Sequence, residues 1–261
     1  SDELIPLDQR PARPPLPPPP GTNYQQLLRT EGYVVIPVQT DVTQMQNDFD
    51  RHILTSPEFR ISGQNLASIP ESFKPVLGGF AALGNPSSFH HPIIRAFREK
   101  MQAHMLRLDV LPLDGRKLEQ CFDRVMYRIP GEKPTAESWH RDEAPTAVLG
   151  DDIFGGWLNL DETAQYFSCV PKTHVAHRDF TDVGSANTGF VPLTAREKAR
   201  ANDLKQLIEI PPGHAIVFYE RLVHEVLPRK ATYHMRRIFF GWRLTNCHVS
   251  LFGHARDRSG D

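Results

Sequence analysis

Apolar positions recur at helical spacing in the first part of the chain and at strand spacing in the second. Residues 24–29 read as a short helix. Glu31-Gly32 stops it, and Tyr33-Val34-Val35-Ile36-Pro37 follows as a β-branched strand closed by proline. Residues 40–49 return to helical spacing through Val42, Met45 and Phe49, with Thr40 or Asp41 as the cap. A longer helix is predicted over 91–108, where Pro92 suits the first turn and Ile94, Phe97, Met101, His104 and Met105 form one stripe. His104 on that stripe is expected to be a core or boundary histidine rather than a ligand. From Leu118 onward the pattern is extended, with strands predicted over 122–129, 139–142, 156–160, 166–170, 206–210, 215–219 and 236–244. Residues 55–90 carry Gly, Pro, Ser and Asn with little periodicity and read as a long irregular segment. Residues 176–204 read as a polar insertion ending in a helix capped at Thr194. The order implies an α+β chain with a mainly β core, a sandwich or barrel with the amino-terminal helices packed outside.

Composition narrows this picture at the ends. Pro11, Pro14, Pro15 and the run Pro17 to Pro20 deny the first residues the backbone donors of helix or sheet. Residues 1–22 are therefore expected as an extended or disordered tail, with a docking motif for a partner as the less favoured reading, and residues 23–261 as a single domain. Thirty basic against 31 acidic residues give a net charge of −1, which counts against nucleic acid or an anionic membrane as a global partner. Cys121, Cys169 and Cys247 are odd in number and unpaired in spacing, which points to a reducing, intracellular compartment. No apolar run of about 18 residues would span a bilayer. Nothing in the pattern sets an oligomeric state.

The chemistry is concentrated in three places. His140 and Asp142 stand two apart in an extended stretch, so both side chains point to one side and can share a metal ion. One imidazole and one carboxylate leave the site incomplete, and a second histidine would give the two-His-one-carboxylate face of a non-haem Fe(II) oxygenase. His224, just past the apolar run Ala215 to Phe218, is the candidate. The third place is Arg236-Arg237 at the head of an apolar strand. An enzyme that uses 2-oxoglutarate needs a fixed cation for the far carboxylate, and arginine meets a carboxylate with a planar fork. One of the two arginines must face inward, and the pattern leaves open which: Arg237 shares a face with Gly241 and Arg243, Arg236 with Ile238, Phe240 and Trp242. Tyr127, on the strand before the metal motif, is a further candidate to touch the cosubstrate, and its neighbour Arg128 faces the other way.

These pieces occur in an order that resembles the phytanoyl-CoA dioxygenase-like Fe(II)/2-oxoglutarate oxygenases. Glu31 to Pro37 looks like the family's amino-terminal G-Y-V-V-L-P strand, and Trp139-His140-Arg141-Asp142 like its W-H-x-D motif. Gly156-Trp157-Leu158-Asn159-Leu160-Asp161 followed by Val170-Pro171-Lys172-Thr173-His174 is similar to its W-x-x-L-D and P-G-S-H elements. Pro212-Gly213-His214-Ala215-Ile216-Val217-Phe218 with His224 resembles its G-D-x-x-x-F and H segment, and Arg236-Arg237 the arginine that ends the series. Lys172 stands in place of a glycine and His214 in place of an aspartate. The resemblance implies a double-stranded β-helix, or jelly roll. It also implies Fe(II) held by His140, Asp142 and His224, with 2-oxoglutarate anchored by Arg236 or Arg237 and O₂ as co-oxidant. A carboxylate at Asp142 argues against the halogenating branch, which has a small residue there.

The activity so implied is hydroxylation of a C–H bond in an unidentified, small-molecule substrate with release of succinate and CO₂. Two other readings stand beside it. Tyr127-Arg128-Ile129-Pro130-Gly131, His140-x-Asp142 and the spacing from Arg237 to Arg243 look similar to the AlkB-type nucleic-acid demethylases, which share the same iron and cosubstrate. The balanced charge counts against them. The other alternative is a binding module that keeps the fold without turnover.

Overall fold

A computed structural model describes residues 21–38, 42–53, 55, 92–128, 139–142, 150–175, 177–180, 190–227 and 235–246, with the side chains of 121–128 and 190 excepted. The proline-rich tail, the irregular segment after residue 55, and residues 176 and 181–189 of the expected insertion at 176–204 lie outside these residues.

Helix α1 (Tyr24–Glu31) is capped by Asn23, whose side chain accepts from the Gln26 N–H, and it buries Tyr24 and Leu28. Gly32 ends it in a left-handed conformation with φ 87° and donates to the Leu28 carbonyl. Glycine is required there twice over, since a Cβ would also lie 2.5 Å from His174 Nδ1 and 2.7 Å from Leu222 Cδ1. Strand β1 (Tyr33–Pro37) follows. α2 (Val42–Asp48) runs into a wider helical turn, Phe49–Ile53, and α3 (Pro92–Arg107) buries Ile94, Phe97, Met101 and Met105. His104 sits half-buried at the edge of that stripe, its Nδ1 2.7 Å from an Arg107 nitrogen, as a boundary histidine.

The remaining elements are β2 (Lys117–Arg128), β3 (His140–Asp142), β4 (Asp152–Asn159), β5 (Gln165–Cys169), β6 (Phe190–Pro192), α4 (Ala195–Leu204), β7 (Gln206–Ile210), β8 (His214–Tyr219), β9 (His224–Glu225) and β10 (Met235–Thr245). They form two five-stranded sheets, one in the order β1-β8-β4-β10-β2 and the other in the order β6-β3-β9-β5-β7. Every named pairing is antiparallel. The mixed helix and sheet class expected from the sequence is thus observed. Two strands were not expected: β6 and β9 carry too few residues for an alternation to register. β6 pairs with β3 and so draws the middle of the expected insertion, 176–204, into the second sheet. β4 begins earlier than predicted, at Asp152, because Gly155 and Gly156 interrupt its apolar pattern.

Alternation divides the first sheet's side chains between two cores. Val34, Ile36, Phe154, Leu158, Ala215, Val217, Ile238, Phe240 and Trp242 pack with the buried faces of α1, α2 and α3. On the other face Trp157, Ile216, Phe218 and Phe239 meet Phe167, Cys169, Ile210 and Leu222 of the second sheet and its flanking turns. A third cluster places α4, through Ala201, against Trp139, Val170, Leu193 and Val223 behind the second sheet, and Trp139 Nε1 donates to Asn202 at 3.0 Å. α4 carries a full capping box, Thr194 accepting from the Glu197 N–H while Glu197 accepts from the Thr194 N–H. Cys169 is a buried free thiol between the sheets, and burial pushes its pKa up, so it stays protonated and inert. No helix among the described residues is long and apolar enough to cross a membrane.

Candidate metal centre

The second sheet brings His140, Asp142 and His224 together. β3 and β9 are antiparallel neighbours in which His140 and His224 are direct partners, so their rings stand side by side with centroids 4.3 Å apart. Asp142, two residues along β3, points to the same face as His140. One ligand atom from each residue lies within 4.8 Å of the others. His224 Nε2 is 3.3 Å from one Asp142 oxygen and His140 Nε2 is 3.7 Å from the other. Adjacent ligands on one ion bound at about 2.1 Å would stand about 3 Å apart, so the two nitrogen–carboxylate separations are within about 1 Å of those a shared metal requires.

The protonation pattern also suits a metal. His224 Nδ1 is 2.8 Å from the Leu222 carbonyl, an acceptor, so Nδ1 donates there and Nε2 is the ring nitrogen that faces Asp142. The ring is walled by Phe167 and Phe218, with centroids 5.5 and 5.2 Å away. His140 and His224 are 3% and 6% exposed, whereas the Asp142 side chain is 25% exposed, so the site opens on the carboxylate side.

The turn after β5 sets where β9 runs. Val170 N–H donates to the Val223 carbonyl, and Thr173 Oγ1 accepts from the Val223 N–H at 2.9 Å while donating to the Val170 carbonyl. The residue before His224 is therefore held on both sides. Lys172, which departs from the glycine of the P-G-S-H element that this stretch resembles, adopts φ 66°. Its N–H bonds to the Glu31 carbonyl and its ammonium lies 3.4 Å from the Glu31 carboxylate. His174 packs flat on Tyr219, its Nε2 3.0 Å from the Arg29 carbonyl, and burial lowers its pKa. His214, at the start of β8, has its Nδ1 3.1 Å from the Pro212 carbonyl.

The two arginines at the head of β10 part company. Arg236 turns to the helix side, where Nε and one terminal nitrogen meet Asp50 at 2.6 and 2.8 Å and the other terminal nitrogen meets Asp161 at 3.2 Å. Arg237 turns to the face between the sheets. Its guanidinium lies over the Trp157 ring at 4.5 Å and its Nε donates to Gln165 Oε1. Trp157 packs edge-on against Phe167, the residue that walls His224, so Arg237 and the metal-site candidates share one continuous surface. Arg243, farther along the same face, is buried and paired with Glu119 and Asp151. Tyr127 lies in β2 opposite Arg236 of β10; its side chain is outside the described residues.

Sequence reasoning passed over Gln165 and Asp161 as polar partners in this region. For Gln165 the available signal was a polar residue in phase with Phe167 and Cys169 on an inward face, and Asp161 ends the W-x-x-L-D element. Asp161 is buried and accepts from Gln165 Nε2, from the Arg236 backbone N–H and from the Arg236 guanidinium. Burial outweighs these donors and pushes its pKa up to about 6. Its folded pKa exceeds the unfolded value near 3.8, so on folding the carboxyl takes up a proton between pH 4 and 6. Its contribution to stability is therefore greatest below that window and declines as pH rises through it, by about 2 to 3 kcal/mol. Chemical denaturation across pH 3.5–7, taken as wild type minus Asp161→Asn, should show that decline. A flat difference curve would mean that Asp161 titrates normally.

No protein-family profile matches the chain, and no curated protein matches it in sequence. Solved structures do match in fold. EctD from S. alaskensis, solved with 2-oxoglutarate and 5-hydroxyectoine, is similar with a TM-score of 0.58 and 17% identity over 92% of this chain and 86% of that one. HygX from Streptomyces hygroscopicus, solved with nickel and 2-oxoglutarate bound, gives a TM-score of 0.56 and 14% identity over 92% and 94% of the two chains. SnoK, a non-heme alpha ketoglutarate dependent carbocyclase from nogalamycin biosynthesis, gives 0.52 and 14% over 91% and 90%. At these identities the likeness is one of fold.

Proposed function

We propose that the chain is a non-haem Fe(II)- and 2-oxoglutarate-dependent dioxygenase of the phytanoyl-CoA dioxygenase-like kind, which hydroxylates a C–H bond of a small molecule. The observation that carries this is the convergence of two imidazoles and one carboxylate, with the His224 tautomer set for ligation, on the same inter-sheet surface as Arg237. Two facing antiparallel sheets, with helices against the outer face of one, are in keeping with a double-stranded β-helix. In this reading residues 23–261 form one catalytic domain.

His140, Asp142 and His224 are the residues that would hold the iron. Bound there, the iron supplies the oxidative chemistry: 2-oxoglutarate and O₂ become succinate and CO₂, with the second oxygen atom delivered to the substrate as hydroxyl. The chain's own residues do the rest. Arg237 takes the far carboxylate of the keto acid with its planar fork, and Trp157 backs the guanidinium. Arg236 does not serve, because its fork is spanned by Asp50 and Asp161 on the opposite face. Phe167 and Phe218 keep water from the His224 side, so the keto acid and substrate enter past Asp142. The small-molecule assignment is supported by the balanced charge of the chain and by fold neighbours solved with 5-hydroxyectoine and with hygromycin B.

Purified protein given Fe(II), ascorbate and 2-oxoglutarate in air should form succinate slowly without any substrate, and should stop when O₂ or metal is withdrawn. If calorimetry shows no 2-oxoglutarate binding in the presence of Fe(II) or Ni(II), the proposal is wrong.

A further inference from the structure

We infer that Gln165 is a positioning residue for 2-oxoglutarate, acting through Arg237, with Asp161 as its own anchor. The inference rests on the assignment of Arg237 as the carboxylate clamp. Gln165 opens β5 on its inward face and is 1% exposed. A carboxamide has one accepting end and one donating end, and here the neighbours decide which is which. Nε2 donates to Asp161 Oδ2 at 2.8 Å and to the Arg236 carbonyl at 3.2 Å. Oε1 is left for Arg237 Nε, which can only donate. A flipped amide would set donor against donor at Arg237 and acceptor against acceptor at Asp161, so the orientation is enforced at both ends.

The effect falls on a side chain that needs fixing. An arginine loses rotamer freedom on being ordered, and whatever ordering is done by the fold is not charged to ligand binding. Trp157 covers one face of the Arg237 guanidinium, and the bond to Nε sets its rotation within that plane. Together they aim the two terminal nitrogens, the pair that a carboxylate meets in bidentate fashion. The anchor chain continues behind Gln165: Asn159 Oδ1 accepts from the Asp161 N–H, and the Asn159 amide donates to the carbonyls of Thr163 and Ile210. An amide suits the post for a further reason. A carboxylate at 165 would hold Arg237 equally well but would cancel the charge that the keto acid requires, and would face the Asp161 carboxylate.

The test uses the full chain without O₂, loaded with Ni(II) or Fe(II). Calorimetry gives dissociation constants for 2-oxoglutarate and for oxalate, a chelator that lacks the far carboxylate. The proteins are wild type, Gln165→Leu, Arg237→Ala and the double variant. Gln165→Leu should weaken 2-oxoglutarate about 10- to 50-fold, the effect of losing a hydrogen bond to a charged group, and leave oxalate within about twofold. In the Arg237→Ala background the same change should cost less than about threefold, because the residue through which it acts is gone. Gln165→Met, closer in length and flexibility, should repeat the pattern if the leucine variant fails to fold. Unchanged 2-oxoglutarate affinity in Gln165→Leu, with a loss in Arg237→Ala, would overturn this inference and leave the clamp assignment standing. Equal weakening of oxalate, or full additivity in the double variant, would also overturn it, since Gln165 would then act through the fold or the metal. If Arg237→Ala binds 2-oxoglutarate as wild type does, the clamp assignment fails and this inference with it.

Discussion

His140→Ala should abolish succinate formation and weaken Fe(II) or Ni(II) binding by more than about 100-fold, since the loss of a residue that merely supports a ligand already costs 10- to 100-fold. The imidazole supplies one of three donors, and its register partner His224 cannot move to compensate, because Nδ1 is tied to the Leu222 carbonyl and the ring is walled by Phe167 and Phe218. The fold should tolerate the change. β3 is held to β6 by backbone pairing, the Asp142 N–H bonds to the Glu220 carbonyl, and Trp139 anchors the approach to the strand. A thermal melt close to wild type, together with a metal titration that no longer saturates, is the expected pair of results. Undiminished metal affinity in a folded variant would place the ion elsewhere.

The second large effect separates the two adjacent arginines. Arg237→Ala should weaken 2-oxoglutarate about 100-fold or more, because a bidentate, charge-assisted contact is lost, while the melting temperature changes little. Arg236→Ala should do the reverse. It strips the cation from Asp161, a carboxylate that remains buried, and the cost of an uncompensated buried charge is about 3 to 5 kcal/mol. Protonation of Asp161 relieves part of that cost, so the Arg236→Ala deficit should shrink on lowering the pH towards 5, consistent with a folded pKa raised to about 6. Denaturation midpoints and keto-acid affinities measured on both variants decide the matter. A loss of 2-oxoglutarate binding confined to Arg236→Ala would reverse the assignment.

How far the sequence reached differs from element to element. Residues 206–210 and the long helix starting at Pro92 were legible because each carries enough turns or alternations for its period to show. β9 was not, since two residues cannot display a period, yet it carries His224. That histidine was picked out by its chemistry and its place after an apolar strand, not by the strand it forms. Residues 156–160 misled in their start because the two glycines that precede them show no side-chain pattern.

The pair Arg236-Arg237 shows where sequence stops. Period two guarantees that adjacent residues face opposite sides of a sheet, so the sequence alone establishes that one arginine is inward and one outward. Which is which depends on where the helices lie, and that is a packing outcome: α2 and its extension bring Asp50 to the Arg236 side, and the second sheet brings Gln165 to the Arg237 side. The Asp161-Gln165-Arg237 chain was invisible for the same reason, as its members come from different strands and a turn. By itself the sequence determined that His140 and Asp142 share a face, that an α+β chain with a mainly β core surrounds them, and which residue types could complete a metal site. The tertiary structure decided that His224 is the cross-strand partner of His140 and that Arg237 packs on Trp157, which in turn packs on the Phe167 ring beside His224. Local periodicity orients a side chain within its own strand, but only the pairing and stacking of distant strands determine what it meets.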